Sequence, residues 1–269
     1  MSKIKSLIKN LRPMGQCAVI TGASSGLGME FARQLAAQGI FLVLTGRNEK
    51  ALAALAEEIG VSDCVVIPAD LSKVRECIDF YGKAKKYKPD ILINNAGFGL
   101  YGSFTAASLS KELELIDVNI KAMHVLFKLF LRDFVKQDRG YILNVGSIAG
   151  FMPGPLMAAY YSSKAYVIRQ TQAVYTELRR IKSNVNVSVL CPGPVDTDFN
   201  RRAGITGFFK GITAKQCVSC ALSEMRKKKL TITPTLKITA IAVMSRFSPV
   251  KLTSYCAYLV QKGKQRIEE

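Results

Sequence analysis

The residues whose types and spacing are best suited to catalysis are Tyr160 and Lys164, which follow Ser147 along the chain. A helix brings residues four positions apart onto one face, so a helix here would place the phenol beside the ammonium group. A cation held nearby lowers the pKa of a tyrosine from its ordinary value of about 10, which would let the phenol exchange a proton at neutral pH. The alternative is a chance spacing, because many helices contain a Tyr and a Lys in this relation.

A glycine-rich turn is the second candidate site. The strand-like segment 16–21 runs into Thr-Gly-Ala-Ser-Ser-Gly-Leu-Gly at 21–28, and a helical pattern follows. Glycines let the backbone approach a phosphate closely, and a helix N-terminus presents free N–H groups to it. The glycine spacing differs from the usual G-x-G-x-x-G fingerprint of dinucleotide sites. A P-loop is excluded because no Gly-Lys-Ser/Thr follows.

Arg47 bears on the kind of phosphate that this turn would hold. The second predicted strand, 41–45, ends in Gly46-Arg47, and the acidic residue that would bind a ribose hydroxyl of NAD is absent there. An arginine at this position suits a 2′-phosphate, so the sequence favours NADP over NAD. The alternative is that Arg47 merely begins a solvated helix with Glu49 and Lys50.

The chain beyond the turn alternates short apolar strands with helical patterns. Strands are predicted at 16–21, 41–45, 64–67, 91–93, 141–145 and 185–190. Alternating units of this length predict an α/β fold with a parallel sheet and helices on both of its faces. Ligands of such sheets bind at the carboxyl ends of the strands. The clusters that fall at these ends are Gly22–Gly28, Arg47, Asp70 and Asn94–Gly97.

The helices that follow carry polar residues at particular places. One long helix is predicted over 108–135, and Asn119 lies inside it. Asparagine is disfavoured within helices, so it is either exposed by accident or a polar group with a partner. A later helix, 158–182, carries Tyr160 and Lys164.

Composition sets the class of protein. With 269 residues and 49% hydrophobic content, the chain can form one large α/β domain or two small ones. No apolar run is long enough for a membrane helix, no secretory signal is evident, and seven scattered cysteines suit a reducing compartment, so we expect a cytoplasmic protein. The net charge of +18 favours an anionic partner. Nucleic acid is not expected, since the basic residues form no aromatic-studded repeat.

A metal site is not expected either. The only histidine, His124, has no cluster of potential ligands near it in the sequence. Cys217 and Cys220 have the Cys-x-x-Cys spacing of some metal and redox sites, but no second such motif lies nearby in the sequence. We therefore interpret them as two buried thiols.

Taken together, these motifs resemble those of the short-chain dehydrogenase/reductase family over about residues 15–200. The resemblance rests on their order and spacing: TGASSGLG at 21–28, NNAG at 94–97, Asn119, Ser147, Tyr160-x-x-x-Lys164, and Pro192-Gly193 followed by Thr197. It implies a doubly wound Rossmann-like fold with about seven parallel strands, and it accounts for the glycine spacing. It also implies a nicotinamide cofactor, NADP(H) by the preceding argument, and the interconversion of a ketone or aldehyde with an alcohol.

The resemblance assigns four catalytic roles. Tyr160 would give a proton to the carbonyl oxygen, or take it from the alcohol. Lys164 would lower the pKa of this phenol and hold the nicotinamide ribose. Ser147 would hydrogen-bond the substrate oxygen, and Asn119 would bend its helix and hold a water that links Lys164 to solvent. The family pattern also selects Tyr160 over the adjacent Tyr161, which spacing alone does not eliminate.

The implied cofactor contacts follow the chain. The pyrophosphate and adenosine ribose would be held by Gly22, Ser24, Ser25, Gly26, Leu27 and Gly28. The remaining contacts would be Asp70 and Leu71 to the adenine, Asn95, Ala96 and Gly97 to the cofactor backbone, and Pro192, Gly193 and Thr197 to the nicotinamide side. A second interpretation is a non-catalytic NADP(H)-binding sensor or scaffold that kept the fold.

We divide the chain into a basic amphipathic extension at 1–14, one catalytic domain at 15–234, and a second basic amphipathic extension at 235–269. Within the domain, 195–215 has the composition of a substrate lid, apolar inside and basic outside. The residues that suggest it are Phe199, Arg201, Arg202, Phe208 and Phe209. The lid suits an apolar acyl or steroid-like substrate. The extensions would cover the pocket, form the contact of a homo-oligomer, or touch an anionic membrane peripherally.

Overall fold

The structure, a computed structural model, describes residues 16–205 and 211–263. The predicted N-terminal amphipathic segment lies outside these ranges, as do Phe208 and Phe209 of the predicted lid.

A seven-stranded parallel sheet forms the centre of the fold, which confirms the predicted number and direction of the strands; in the labels given in the next sentence, their order is β3-β2-β1-β4-β5-β6-β9. Its strands are β1 (Cys17–Thr21), β2 (Phe41–Thr45), β3 (Cys64–Val66), β4 (Ile91–Asn94), β5 (Tyr141–Val145), β6 (Asn186–Leu190) and β9 (Thr231–Ile232). In β1, Ala18 and Ile20 join the core on one face of the sheet, whereas Cys17 and Val19 join the core on the other. Both faces are therefore buried, which explains the continuous apolar runs of these strands.

Helices cover the two faces and close the carboxyl-end side. They are α1 (Gly26–Ala36), α2 (Glu49–Ile59), α3 (Val74–Ala84), α4 (Leu109–Ile116), α5 (Met123–Gln137), α6 (Ala158–Arg180), α7 (Phe199–Arg202), α8 (Ala214–Arg226), α9 (Leu236–Phe247) and α10 (Val250–Lys262). Phe31 of α1 and Leu222 of α8 pack on one face of the sheet, and Phe80 of α3 and Phe127 of α5 pack on the other. The doubly wound arrangement follows from this division.

The long helix predicted over 108–135 is interrupted. A π-helical turn, Asp117–Ala122, separates α4 from α5, and Asn119 lies within this turn. Single π-turns inside helices often occur at functional sites, because the extra residue redirects a side chain. The helix is therefore irregular at Asn119, whereas the predicted local bend stays a prediction.

The predicted lid begins and ends on a pair of short strands. Strands β7 (Val195–Asp196) and β8 (Ile212–Thr213) pair in parallel and form a separate two-stranded sheet. The two ends of the predicted lid are therefore held side by side. Beyond it, α8 begins with a capping box between Thr213 and Gln216, which fixes where the chain returns to the sheet.

Helices α9 and α10 pack on the domain through narrow stripes. Ile238 and Ala242 are the buried residues of α9, and Ala257 and Gln261 are those of α10. Ile238 lies so close to Gly193 that a side chain at the glycine would overlap it, which holds α9 beside the end of β6. Within the described residues, no helix combines the length and the apolar character needed to cross a membrane.

Candidate active site

A cavity of about 570 Å³ lies at the carboxyl ends of the strands. Of the site residues predicted from the sequence, Gly28 and Asn119 are the two that do not line it. The predicted residues that do are Gly22, Ser24, Ser25, Gly26, Leu27, Arg47, Asp70, Leu71, Asn95, Ala96, Gly97, Ser147, Tyr160, Lys164, Pro192, Gly193 and Thr197. The fold thus gathers motifs from distant parts of the sequence around one space.

The glycine-rich turn has the geometry of a phosphate cradle. Gly22 and Gly26 have φ angles of +65° and +53°, a region that favours glycine. A side chain on Gly28 would overlap the carbonyl oxygen of Gly22, so Gly28 lies behind the turn and not on the cavity wall. Ser25 precedes α1 without a side-chain cap, which leaves the first N–H groups of the helix available. The turn fits the diphosphate of a dinucleotide.

The Asn94–Gly97 segment is held to the end of β1. The Oγ1 atom of Thr21 accepts hydrogen bonds from the N–H groups of Asn95 and Ala96, both at 2.9 Å. The side-chain amide of Asn95 donates to the carbonyl oxygen of Thr21, also at 2.9 Å. These bonds fix the cavity wall where Gly97 approaches Lys164 and Asn119, with no room for a side chain on that glycine.

Asn119 is a buried group with partners. Its Oδ1 atom accepts from the N–H of Phe98 at 3.0 Å, and its Nδ2 atom donates to the carbonyl oxygen of Phe98 at 2.9 Å. Nδ2 also donates to the Oγ atom of Ser163 at 3.1 Å. Asn119 therefore ties the wall segment to α6, the helix that carries Tyr160. Its predicted link through water to Lys164 stays a prediction.

Tyr160 and Lys164 lie on one face of α6, as their spacing predicted, but the pKa of Tyr160 moves in the opposite direction. Burial raises it to about 12, although a hydrogen bond with Ser147 acts to lower it. The Nζ atom of Lys164 is 5.8 Å from the centre of the Tyr160 ring and donates to the carbonyl oxygen of Val145 at 2.9 Å. Burial lowers the pKa of Lys164 to about 8. The phenol is consequently neutral at neutral pH.

Ser147 lies at the end of β5, where it begins a short 3-10 turn. Its Oγ atom accepts from the N–H of Ala149 at 3.1 Å and donates to the carbonyl oxygen of Pro192 at 3.5 Å. The backbone bond fixes the side chain, and the longer contact leaves the hydroxyl free to turn toward another acceptor. Ser147 and Tyr160 therefore present two hydroxyl groups to the same part of the cavity.

Arg47 lies at the cavity edge and pairs with Glu114 of α4. Its Nη1 atom is 2.6 Å from the Oε1 atom of Glu114, and the arginine side chain is 60% exposed. An ion pair this exposed contributes roughly 0–1 kcal/mol, so an anionic ligand can compete for the guanidinium.

Asp70, which follows β3 in the chain, accepts a hydrogen bond from the hydroxyl of Ser72 at 2.8 Å. Burial acts to raise the pKa of Asp70, but hydrogen bonds from Ser72 and the cation of Lys73 lower it overall.

Other residues of the cavity were not predicted from the sequence as site residues. Those closest to the chemistry are Phe98, Met157, Ile205 and Gln261. The first three are ordinary apolar residues with no distinguishing spacing, and Gln261 lies far along the C-terminal extension. The pattern of the lid did indicate Phe199, whose ring centre is 5.5 Å from that of Tyr160.

Arg202 differs from the prediction that the lid is basic only on its outside. Its Nη2 atom donates to the Oγ atom of Ser25 at 2.9 Å, and the residue lines the cavity. A cation at this point lies beside the glycine-rich turn. Arg201, in contrast, is exposed and pairs with Asp198 at 3.3 Å.

In the part of the chain that the structure describes, no group of three or more His, Cys, Asp or Glu side chains is placed to bind a metal ion.

Comparisons with known proteins agree with this geometry. The family model described as short chain dehydrogenase matches residues 16–207. An uncharacterized oxidoreductase of Staphylococcus epidermidis is 37% identical over 188 residues, which cover 67% of this chain and 78% of the relative. A short-chain dehydrogenase from Sphingobium yanoikuyae, solved in complex with NADPH, is 30% identical with a TM-score of 0.78, and the match covers 84% of this chain and 90% of that one.

A second solved structure shares the fold at lower identity. It is a short chain dehydrogenase/reductase from Burkholderia phymatum in complex with NAD, 24% identical with a TM-score of 0.81. The match covers 91% of this chain and 97% of that one. The same architecture therefore accompanies both nicotinamide cofactors in these two proteins.

Proposed function

Since the chain belongs to the short-chain dehydrogenase/reductase family and is an oxidoreductase, we propose that it reduces an apolar ketone or aldehyde to the alcohol with NADPH. The observation that carries the proposal is the position of Tyr160. Its phenol is buried on the wall of the cavity that the glycine-rich turn also lines, and it forms a hydrogen bond with Ser147. A phenol held in this place with its proton can supply the proton that reduction requires at the substrate oxygen.

The roles of the chain's own residues follow from their positions. The hydroxyl of Tyr160 donates its proton to the substrate oxygen as negative charge develops there. The hydroxyl of Ser147 donates a hydrogen bond to the same oxygen and favours the developing charge. Lys164 provides a buried cation near this proton donor and, by the family pattern, holds the nicotinamide ribose. The bound nicotinamide supplies the hydride.

Arg47 is the residue that favours NADPH over NADH. The relatives do not decide the cofactor, since one solved structure contains NADPH and another contains NAD. Arg47 lies at the end of β2 on the cavity edge, where its exposed pair with Glu114 is weak. A 2′-phosphate would offer the guanidinium a stronger, doubly hydrogen-bonded partner.

The lining near Tyr160 supports an apolar substrate. Phe98, Met157, Phe199 and Ile205 surround this end of the cavity. Large apolar side chains favour a bulky hydrocarbon group and give sugars or small polar carbonyl compounds few hydrogen-bonding partners. An acyl chain or a fused-ring ketone suits this environment.

The test is a panel of carbonyl compounds with purified protein. It comprises 3-ketoacyl thioesters, steroid ketones, sugars and small ketones, with NADPH consumption followed by absorbance. We expect consumption with the acyl or steroid ketones and little with the sugars. Tight NADPH binding without consumption across the panel would instead support the sensor or scaffold interpretation. The presence of Asn119, Ser147, Tyr160 and Lys164 argues against that interpretation, because a sensor needs only the nucleotide site.

We also propose that α9 and α10 bind an anionic membrane surface peripherally through a C-terminal apolar face. This face comprises the exposed residues Leu236, Val243, Met244, Phe247, Val250, Leu252, Tyr255, Leu259 and Val260. Exposed lysines and arginines, at 237, 246, 251 and 262, accompany it, and the sequence has no Asp or Glu from 225 to 267. A bilayer with anionic lipid offers both an apolar layer and negative charge. Two copies of this face would bring like charges together, which disfavours self-association here.

Vesicle co-sedimentation tests this membrane contact. We expect the protein to bind vesicles that contain phosphatidylglycerol more strongly than pure phosphatidylcholine vesicles. The double variant Met244→Ser/Phe247→Ser should lose most of this binding. The control Val61→Ser/Phe104→Ser, which removes exposed apolar side chains elsewhere, should retain it. Unchanged binding by the first variant, or a dimer that this variant dissociates, would contradict the proposal. The predicted homo-oligomer stays a prediction.

A further inference from the structure

Gln261 brings the last turn of α10 into the wall of the cavity. Although α10 is mostly exposed, Gln261 is only 2% exposed and lines the same cavity as Tyr160. Its carbonyl oxygen accepts a hydrogen bond from the phenol of Tyr101 at 3.1 Å, which fixes the helix end. Its side-chain Nε2 atom donates to the hydroxyl of Tyr161. The C-terminal extension therefore contributes directly to the site.

One end of the Gln261 amide has no hydrogen-bond partner within the part of the chain that the structure describes. Among the described residues, no hydrogen-bonding group reaches the buried Oε1 atom. The hydroxyl of Tyr161 can donate as well as accept, so the amide can turn and offer either its oxygen or its NH₂ group to the cavity. Burying an amide without its full set of hydrogen bonds is unfavourable. An apolar side chain would be better suited if α10 only closed the cavity.

The position of this amide is well defined. The Tyr161 ring packs directly on Gly154, where a side chain would overlap the ring. Its centre is 6.2 Å from that of Tyr160, in an edge-to-face arrangement. Gln261 is therefore separated from the proton donor by one aromatic side chain, and a group that meets it lies away from the reacting carbonyl.

We propose that Gln261 is a specificity-determining residue that hydrogen-bonds a second polar group of the substrate. This inference rests on the proposed function and narrows its substrate class. The substrate is an apolar carbonyl compound that carries a hydroxyl, amide or second oxo group remote from the carbonyl that is reduced. Tyr161 positions the amide for this contact and takes no part in proton transfer.

The test compares Gln261→Met with the wild type on two ketones that differ by one remote hydroxyl. A steroid ketone with a distant hydroxyl and its deoxy analogue form such a pair, and 3-ketoacyl thioesters with and without a terminal hydroxyl form another. Of the two hydroxylated ketones, the one with the higher kcat/KM in the wild type is used for the comparison. For this ketone, we expect the KM of the variant to rise about 10-fold with kcat nearly unchanged. The deoxy analogue should show no such rise. Equal effects on both members of each pair would overturn the inference.

Two further variants separate this role from a structural one. Lys262→Met changes the exposed neighbour of Gln261 and should leave the KM of both ketones unchanged. Tyr161→Phe removes the hydroxyl that binds the Gln261 amide, and it should raise the KM of the hydroxylated ketone alone. If Gln261→Met does not fold, Tyr161→Phe takes its place in the test. A rise for the deoxy analogue as well would contradict the proposed positioning.

Binding of the same ketones to the NADPH-loaded protein, measured by calorimetry, keeps the two proposals apart. One outcome is that the wild type binds the hydroxylated ketone selectively, that Gln261→Met abolishes this selectivity, and that neither protein turns the ketone over. This outcome would support the Gln261 contact and reject the oxidoreductase mechanism. Turnover without selectivity would support the mechanism and reject the Gln261 contact.

Discussion

Lys164 donates from its Nζ atom to the carbonyl oxygen of Val145, 2.9 Å away, at the end of β5. Lys164 is 5% exposed, and among the described residues no carboxylate offsets the loss of water around its ammonium group. A single carbonyl dipole compensates only in part for the burial of a charge. The pKa of Lys164 is accordingly lowered to about 8 from its ordinary 10.5.

The first prediction concerns the pH dependence that this burial causes. The folded-state pKa of Lys164 lies below the unfolded value, so the unfolded chain binds more protons between about 8 and 10.5. The free energy of unfolding of the wild type should therefore rise with pH across this window, relative to Lys164→Met. The relative gain is on the order of 3 kcal/mol over the full window.

Urea unfolding of both proteins at several pH values between 7.5 and 10 measures this difference. Taking the difference removes the opposite contribution of buried cysteines such as Cys217, whose pKa burial raises to about 12. Lys50→Met, at an exposed position, serves as the control for the loss of one lysine side chain. A pH-independent difference for Lys164→Met would show that the ammonium group is not destabilised by burial.

Much of the site could be predicted from the sequence because its residues follow strands. The carboxyl ends of parallel strands meet at one edge of the sheet, so Gly22, Arg47, Asp70 and Asn95 had to converge. This inference depends only on local pattern and on the rules of parallel sheets. At Asn119 the residue type alone left two alternatives, an exposed position or a buried group with a partner, and only the family resemblance predicted an irregular helix there.

Other features depend on tertiary packing, which leaves no local signal. The spacing of Tyr160 and Lys164 predicted their proximity, but the pKa of the phenol depends on how far burial outweighs the cation. Gln261 looks like any polar residue at the end of an amphipathic helix, and only the docking of α10 reveals that it faces the cavity. Arg202 likewise reaches Ser25 only because α7 lies across the glycine-rich turn.

The second prediction tests the proton donor. Tyr160→Phe removes the hydroxyl and keeps the ring that packs on Phe199. We expect kcat for ketone reduction to fall by about 10²- to 10⁴-fold, the usual contribution of a positioned acid. The affinity for NADPH, measured by fluorescence titration, should change little, because the glycine-rich turn is unaffected.

Tyr161→Phe provides the matched control for this substitution. The Tyr161 ring lies beside that of Tyr160, and the variant also loses a tyrosine hydroxyl from a residue that lines the cavity. On a ketone without a second polar group, it should retain most of the wild-type kcat. Comparable losses in the two variants would mean that general destabilisation, and not proton donation, explains the effect of Tyr160→Phe.

The third prediction concerns cofactor choice. Arg47→Ser removes the guanidinium that we assign to the 2′-phosphate, so the KM for NADPH should rise by about 10- to 100-fold, the loss expected for charge-assisted hydrogen bonds. The KM for NADH should stay nearly constant. Glu114→Gln removes the present partner of Arg47 and should leave or improve the use of NADPH.

Lys50→Ser serves as the control for the change in net charge, since Lys50 is exposed on the neighbouring helix α2. Initial rates at varied cofactor concentrations give the KM of each protein for NADPH and for NADH. An equal loss with NADPH and NADH in Arg47→Ser, or a loss as large in Lys50→Ser, would refute a specific contact with the 2′-phosphate.

The fourth prediction compares two glycines that differ in their surroundings. A side chain at Gly28 would overlap the carbonyl oxygen of Gly22, so Gly28→Ala forces the turn out of its present shape. Gly82, in α3, has open space around the position of its missing side chain, and alanine there should stabilise the helix by roughly 0.5–1 kcal/mol.

Thermal unfolding with and without NADPH measures the change in stability and the effect of each substitution on cofactor binding. The rise in Tm on adding NADPH should persist in Gly82→Ala and shrink strongly in Gly28→Ala, because the phosphate cradle is lost there. A full rise in Gly28→Ala would mean that the cofactor diphosphate does not depend on this turn.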